Sequence, residues 1–400
     1  MHLFALVAAL LAHAPAAADA PPARWATVSV GHDHACALDS EGRAFCWGNN
    51  HAGQLGGRTA ERCGRVSESG YRSCYPVPSD TAVAVAVTGG RRFASLSAGR
   101  YRTCALDMEG RAFCWGKVAE GRDRCLYGEA CSFAPVPYLP ERRFRELRLQ
   151  ADADCFVTRD GESLCTATLG EEGWDDEGTP RPVAPGMRPR HFDVFADPPT
   201  AILCAVDSAG AAWCRGRNSV GQLGNGTRPW AFGDPREHSD TLTRVAGDVR
   251  FAAVIPQGGW TCGLDVAGGA HCWGQRSREH RPYHRDDPED PRLCREVECA
   301  PRPVPVAGTP RLRGISGHDQ KVCGLTAAGA AYCWDFEGEA RPVHPDLRFT
   351  VLAGNKEFGS GSCGVTTGGD LYCWGVVNRP PERERIAHPA SRSRSRSRSR

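Results

Sequence analysis

The sequence predicts an all-β protein, a seven-bladed β-propeller with disulfide-stapled hairpins, and three observations carry that reading. Seven times a cysteine is followed ten positions later by a second: Cys36/Cys46, Cys104/Cys114, Cys155/Cys165, Cys204/Cys214, Cys262/Cys272, Cys323/Cys333 and Cys363/Cys373. Inside every interval a glycine stands six residues after the first cysteine, from Gly42 and Gly110 to Gly369. The flanking residues alternate apolar with small or polar over short runs and show no helical period, which suits strands. A motif returning every 40 to 68 residues marks a repeat architecture.

In chain order, residues 1–20 (MHLFALVAALLAHAPAAADA) are an apolar run ending in small residues. That is the form of a secretory signal peptide, and the run is too short for a span of about 20 apolar residues. Cleavage is expected after Ala18 or Ala20. The propeller is expected over 24–379, beginning with the strand Trp25–Val30. Each unit then runs through a Cys-Ala-Leu-like strand, a polar turn around Asp-x-x-Gly, and an aromatic-Cys-Trp-Gly strand. The glycine supplies the φ > 0 position of a short hairpin loop, so each interval reads as a β-hairpin with its cysteines near-opposite. Non-hydrogen-bonded antiparallel pairs bring Cα atoms to about 4.5 Å, within disulfide range. A further short strand is flagged by Tyr75-Pro-Val, Ala134-Pro-Val, Pro182-Val183, Pro303-Val304 and Pro342-Val343. Seven such units close into a ring, which leaves only short, protected sheet edges. No such pair follows the last hairpin, and Trp25–Val30 precedes the first, so the N-terminal strand is expected to close the ring. Residues 380–400, ending in five Ser-Arg pairs, have nothing to bury and are expected to be a disordered tail.

The remaining six of the 20 cysteines fall as Cys63/Cys74, Cys125/Cys131 and Cys294/Cys299, each pair inside one inter-strand loop. Local bridges thus account for every cysteine, as suits an oxidising compartment. Zinc fits these spacings poorly. The net charge of +2 implies no strong overall field, and with three lysines against an abundance of arginine the chain reads as compositionally biased rather than built for nucleic acid.

The residues Gly31-His-Asp-His34-Ala-Cys-Ala-Leu38, Gly42-Arg-Ala-Phe-Cys-Trp47-Gly48-Asn49 and Gly53-Gln54-Leu55-Gly56 resemble the repeat of the regulator of chromosome condensation family. The resemblance runs over roughly 24–376, is strongest in the first unit, and implies a propeller. Bacterial propellers of that repeat type, including a secreted inhibitor of β-lactamases, look similar. Gly-Gln-Leu-Gly recurs at Gly221–Gly224, whereas Thr166 and Arg215 stand where the other units have tryptophan.

Catalytic constellations are missing from the sequence: there is no G-x-S-x-G, phosphate-binding G-x-x-x-x-G-K or H-E-x-x-H motif. His32 and His34 form an H-x-H pair that the other units do not repeat, so a structural or solvated role is expected. The stretch 278–290, with His280, His284, Asp286, Asp287 and Asp290, reads as a solvated loop rather than a cation site. No enzyme activity, cofactor or metal is expected. The expected function is that of a secreted scaffold, extracellular or periplasmic and monomeric. It would bind an unknown protein partner, with no membrane span and no specific nucleic acid. Alternatives are an inhibitor of a secreted or periplasmic enzyme and a glycan-active propeller enzyme; nucleotide exchange on a small GTPase conflicts with the leader and the cysteines. Long insertions at 49–75, 117–134, 217–241 and 275–300 all leave between the Cys-Trp-Gly strand and the next strand, hence on one face. They carry the expected contact residues Tyr71, Arg72, Tyr75, Tyr127, Trp230, Phe232 and Tyr283, types enriched in interface hot spots.

Overall fold

The computed structural model describes residues 24–58, 61–66, 72–76, 84–118, 121, 123–125, 130–150, 153–166, 180–195, 201–227, 237–275, 299–318, 321–336, 338–356, 361–375 and 384–389. The regular elements among them are strands, gathered into seven blade sheets and a separate two-stranded ribbon. Blade 1 comprises Trp25–Val30, His34–Asp39, Ala44–Gly48 and the outer strand Val85–Ala86. The pattern repeats through blade 7, made of Phe349–Gly354, Ser362–Thr366, Leu371–Trp374 and Glu384–Ile386. Blade 2 adds a fifth strand, Asp123–Arg124, at its edge.

The first strands of successive blades pack on one another all the way round, blade 7 on blade 1 included, which places them at the axis of a closed ring. Seven hydrophobic clusters fill the seams between neighbouring blades. Between blades 1 and 2 the disulfide cysteines Cys36 and Cys46 meet Phe93, Phe113 and Trp115, and between blades 7 and 1 Cys363 and Cys373 meet Trp25 and Phe45. The half-cystines therefore serve as core residues as well as crosslinks.

Every hairpin takes the expected register. Cys36 lies opposite Cys46, Cys104 opposite Cys114, Cys155 opposite Cys165 and Cys204 opposite Cys214. Cys262 faces Cys272, Cys323 faces Cys333 and Cys363 faces Cys373 in the same way. All seven pairs are bridged, with Cα atoms 4.0–4.1 Å apart. The turn glycines have positive φ, 77° at Gly42 and 75° at Gly110. A Cβ on Gly110 would lie 2.4 Å from the carbonyl oxygen of Phe144, so backbone conformation and the next blade both demand glycine there. The turn aspartate has an equally local cause: Asp39 Oδ1 accepts from the N–H groups of Glu41 and Arg43, and Asp107, Asp207 and Asp265 repeat the arrangement. Thr158, Thr326 and Thr366 do so with a hydroxyl.

Three expectations are corrected. Ring closure is made by residues after Trp374, not by the N-terminal strand. Trp25–Val30 is the inner strand of blade 1, and Glu384–Ile386 completes blade 7 from the C-terminal side. The seam is then sealed by Trp25, whose N–H donates to Gly369 O and whose Nε1 donates to Ile386 O, and by His388, which packs its ring against Trp25 and Phe45. The propeller consequently runs past 379, because the polar Glu384-Arg-Ile386 still pairs with Leu371–Cys373 and buries Ile386. In blade 1 the outer strand is Val85–Ala86, paired with Cys46 and Phe45, rather than Tyr75-Pro-Val. Tyr75 and Pro76 instead belong to the ribbon Arg72–Pro76, paired with Glu61–Val66 inside the long insertion.

The Cys125–Cys131 bridge forms as expected. The ribbon register puts Cys63 opposite Cys74. Cys299 is disulfide-bonded, and Cys294 lies outside the described residues, as do residues 1–20 and the Ser-Arg run.

Candidate interaction face

The antiparallel order of each blade fixes which connections share a face. The turn between first and second strands lies at the opposite end from the hairpin turn, and the insertions begin beside it. Asn49 N–H donates to Asp33 O in blade 1, Lys117 to Tyr101 in blade 2, Arg217 to Ala201 in blade 4 and Gln275 to Gly259 in blade 5. The four long insertions therefore spring from one face.

Their stems are tied to the following blade. In blade 1, Asn50 accepts from Leu55 N–H and donates to Gly57 O, while Gln54 Oε1 accepts from Ala52 N–H. This fold-back presents Gln54 O to two donors of blade 2, Trp115 Nε1 at 3.0 Å and Thr103 Oγ1 at 3.1 Å. Blade 4 repeats it, with Gln222 O accepting from Trp273 Nε1 and Thr261 Oγ1 of blade 5. The Gly-Gln-Leu-Gly motif is thus an inter-blade lock. Its last glycine cannot be replaced, because a Cβ on Gly224 would lie 2.5 Å from Trp273 Nε1. Further out, Arg58 pairs with Asp123 at 2.8 Å and lies over the Phe133 ring, joining the first two insertions. Gly226 N–H donates to Pro301 O, joining the third to blade 5.

The hairpin cysteines belong to the blades rather than to this face. Cys114, Cys165, Cys214 and Cys333 stand on the third strands of blades 2, 3, 4 and 6. The first three are buried and Cys333 is half-buried. Each is consumed in its bridge, so these cysteines are structural and offer no thiol to a ligand or a reaction.

Of the expected contact residues, Arg72 and Tyr75 fall on the ribbon strand Arg72–Pro76. Tyr71, Tyr127, Trp230, Phe232 and Tyr283 lie outside the described residues, as does 278–290. Sequence reasoning passed over Tyr101. This residue occupies the first turn of blade 2, is 41 % exposed, and has the Arg100 guanidinium 5.4 Å from its ring centroid. The available signal was a large aromatic in Gly99-Arg-Tyr-Arg, where blade 1 has Gly31-His-Asp-His.

Nearer the axis the same face is closed by charge. Lys356, in the first turn of blade 7, reaches across the ring to blade 4, donating to Asp193 Oδ2 at 2.5 Å and to Val194 O at 2.8 Å. Both side chains are buried. Burial pulls the Lys356 ammonium below its usual range, against the attraction of Asp193. Beside them stand His191, bonded to Val254 O, and the Arg148–Glu146 pair. Burial also carries His34, His191 and His318 down to about 4. His34 Nε2 is 2.8 Å from Thr103 Oγ1 of blade 2, and His318 lies between the hydroxyls of Ser316 and Ser362. These histidines are inter-blade or intra-blade contacts, and among the described residues no group of three or more side chains is arranged to hold a metal.

Comparison with known proteins agrees with this geometry. Residues 25–54 match the family described as the regulator of chromosome condensation (RCC1) repeat. Human HERC3, a probable E3 ubiquitin-protein ligase, is 27 % identical over 213 residues, covering 50 % of this chain. The chain spans only 18 % of that protein's length. Among solved structures, yeast RCC1 (Prp20) bound to Kap60 superposes with a TM-score of 0.61 at 17 % identity, over 86 % of this chain and 80 % of that one. The Saccharomyces cerevisiae Prp20p structure, whose binding to Gsp1p and histones has been described, gives 0.59 at 16 % identity over 93 % and 85 %. Human WBSCR16 gives 0.61 at 14 % over 87 % and 94 %. These structural likenesses establish the fold: a seven-bladed propeller of the regulator of chromosome condensation type.

Proposed function

We propose that this propeller of regulator of chromosome condensation type repeats is an exported binding scaffold, acting by protein–protein contact through its insertion face and without chemistry of its own. The observation that carries the reading is the shared origin of the four long insertions beside the first turns of their blades, on a ring whose seams are locked by buried bonds. A rigid body with anchored insertion stems lowers the ordering cost of association. The insertion bridge Cys125–Cys131 works in the same direction. Likeness to yeast Prp20, which binds proteins, supports contact as the mode of action and leaves the partner open. Export rests on residues 1–20 and on the disulfide-bonded cysteines.

Pull-down from the secretome of the source organism should recover a protein partner. With it in hand, alanine at Tyr71, Tyr101, Tyr127 or Trp230 should weaken binding with little change in melting temperature. Normal affinity together with a lowered melting temperature at all four would assign the insertions to structure instead. Export is checked separately: the N-terminus of the mature protein should begin after Ala18 or Ala20, and an uncleaved cytosolic protein refutes it.

A further inference from the structure

The face opposite the insertions carries the hairpin turns, together with the connections from each outer strand to the next blade. Every such entry into a first strand is preceded by an arginine: Arg24, Arg92, Arg143, Arg188, Arg250, Arg311 and Arg348, one per blade and all exposed. Their places are equivalent. The carbonyls of Arg24, Arg143, Arg250 and Arg348 accept from the hairpin-turn N–H groups of Ser40, Arg159, Val266 and Thr367. The stems of Arg24, Arg92, Arg188, Arg250, Arg311 and Arg348 lie over the turn glycine of the preceding blade.

The guanidinium groups find few countercharges. Arg143, Arg311 and Arg348 donate to backbone carbonyls, which leave the charge uncompensated. Among the described residues, Arg24 and Arg250 have no carboxylate partner. Arg92 pairs with Glu41 and Arg188 with Asp160, both at exposed sites of low strength. Most carboxylates of this face are already engaged. Asp39, Asp107, Asp207 and Asp265 are turned onto backbone N–H groups, and Glu109 and Glu162 are paired with Arg111 and Arg142. Glu141, Asp248 and Asp346 complete the acids of these connections. The chain also leaves the propeller here, since Ile386 pairs with Leu371 at the hairpin end of blade 7 and His388 seats on Trp25 and Phe45. Like charge repeated from blade to blade favours an external polyanion.

We propose that this face docks an acidic polysaccharide, a carboxylated or sulfated chain gripped by the arginine ring. Arginine forks fit planar carboxylate and tetrahedral oxyanion groups, and one charge per blade along an arc suits a ligand with repeating anions. The large apolar side chains exposed here, Met108 and Val266, stand on blades 2 and 5 and do not form the apolar centre of a protein interface. No large aromatic side chain of the described residues is exposed on this face to stack on bases. The choice of a polysaccharide over duplex DNA rests on the exported reading above.

The test uses the purified full-length protein, so its outcome does not depend on export. Polygalacturonate and dextran sulfate serve as probes, with a random-sequence DNA duplex and polyglutamate as competitors. The protein should bind at least one polysaccharide in a salt-sensitive manner and prefer it to both competitors. Arg250→Gln/Arg311→Gln/Arg348→Gln, which keeps the stems over the turn glycines, should weaken binding by roughly tenfold or more, whereas Arg58→Gln on the insertion face should not. No binding to either polysaccharide at low salt, an unchanged affinity in the triple variant, or tighter binding of DNA or polyglutamate would each overturn the proposal.

Discussion

Gly110 shows how much of the fold is decided by single residues. Its φ of 75°, the 2.4 Å approach a Cβ would make to Phe144 O, and the 2.8 Å bond from Phe144 N–H to its own carbonyl all meet at one atom group. Gly110→Val should therefore cost roughly 1–3 kcal/mol from backbone strain alone, read as a lowered denaturation midpoint; an unchanged midpoint would remove the hairpin from this position. The buried histidines set a pH dependence. His34, His191 and His318 titrate near 4 in the folded protein, against an ordinary value of 6.5. Below 6.5 the unfolded chain takes up protons that the folded one refuses, so stability is complete above 6.5 and drains away as pH falls towards 4. Thermal melts between pH 7 and pH 4 should show this decline, and His318→Gln should make it shallower; a flat profile would contradict the burial. The turn glycines and turn aspartates were legible in the sequence because their causes lie within four residues. Tyr101 and Lys356 were not, because their partners or their exposure are set by distant chain.

At the scale of the element, the hairpin disulfide has two roles. It closes a short loop, worth about 2–3 kcal/mol in the chain-entropy model, and it faces the neighbouring blade, as where Trp334 Nε1 of blade 6 meets the sulfurs of Cys262 and Cys272. Cys104→Ser/Cys114→Ser should accordingly lose more stability than loop closure alone explains, because two hydroxyls then face the apolar seam with Phe156 and Leu164. A Cys→Ala pair at the same site should lose less, and equal losses in denaturant melts would dismiss the packing role. The outer strands show where sequence cues stop. Pro-Val pairs mark them in blades 2, 3, 5 and 6, where strand and pair coincide or overlap. In blade 1 the same cue falls in the insertion ribbon, and blade 7 ends on Glu384–Ile386, which has no such cue. Outside blade 2 an outer strand pairs with one neighbour only, so its sequence is weakly constrained.

The described residues are held by the seams and by the bonds Lys356 makes across the axis to Asp193 and Val194. Lys356 of blade 7 and Asp193 of blade 4 are both buried and lie 2.5 Å apart. Lys356→Met should leave Asp193 buried without its cation and cost roughly 3–5 kcal/mol. Adding Asp193→Leu should recover much of that loss, as measured by chemical denaturation. A single variant as stable as the parent would show that the strut carries no strain-bearing role. Closure likewise belongs to this scale. Removing residues 384–400 takes away Ile386 and His388 from the blade 7–blade 1 seam, so the truncated protein should unfold at lower denaturant with reduced cooperativity.

The sequence by itself determined the blade number, the hairpin register and the seven staples, since spacing and turn chemistry act over ten residues and repeat. It also placed the four long insertions at one topological point, which the antiparallel order of strands converts into a common face. Only the tertiary structure decided that the C-terminal segment closes the ring and that Gly-Gln-Leu-Gly locks one blade to the next. The same holds for the lysine that spans the axis. Each of these joins residues far apart in sequence, 163 positions for Lys356 and Asp193 and 361 for Trp25 and Ile386. Contacts at that range leave no periodic trace in a chain; they exist only once the ring has brought its ends and its opposite walls together.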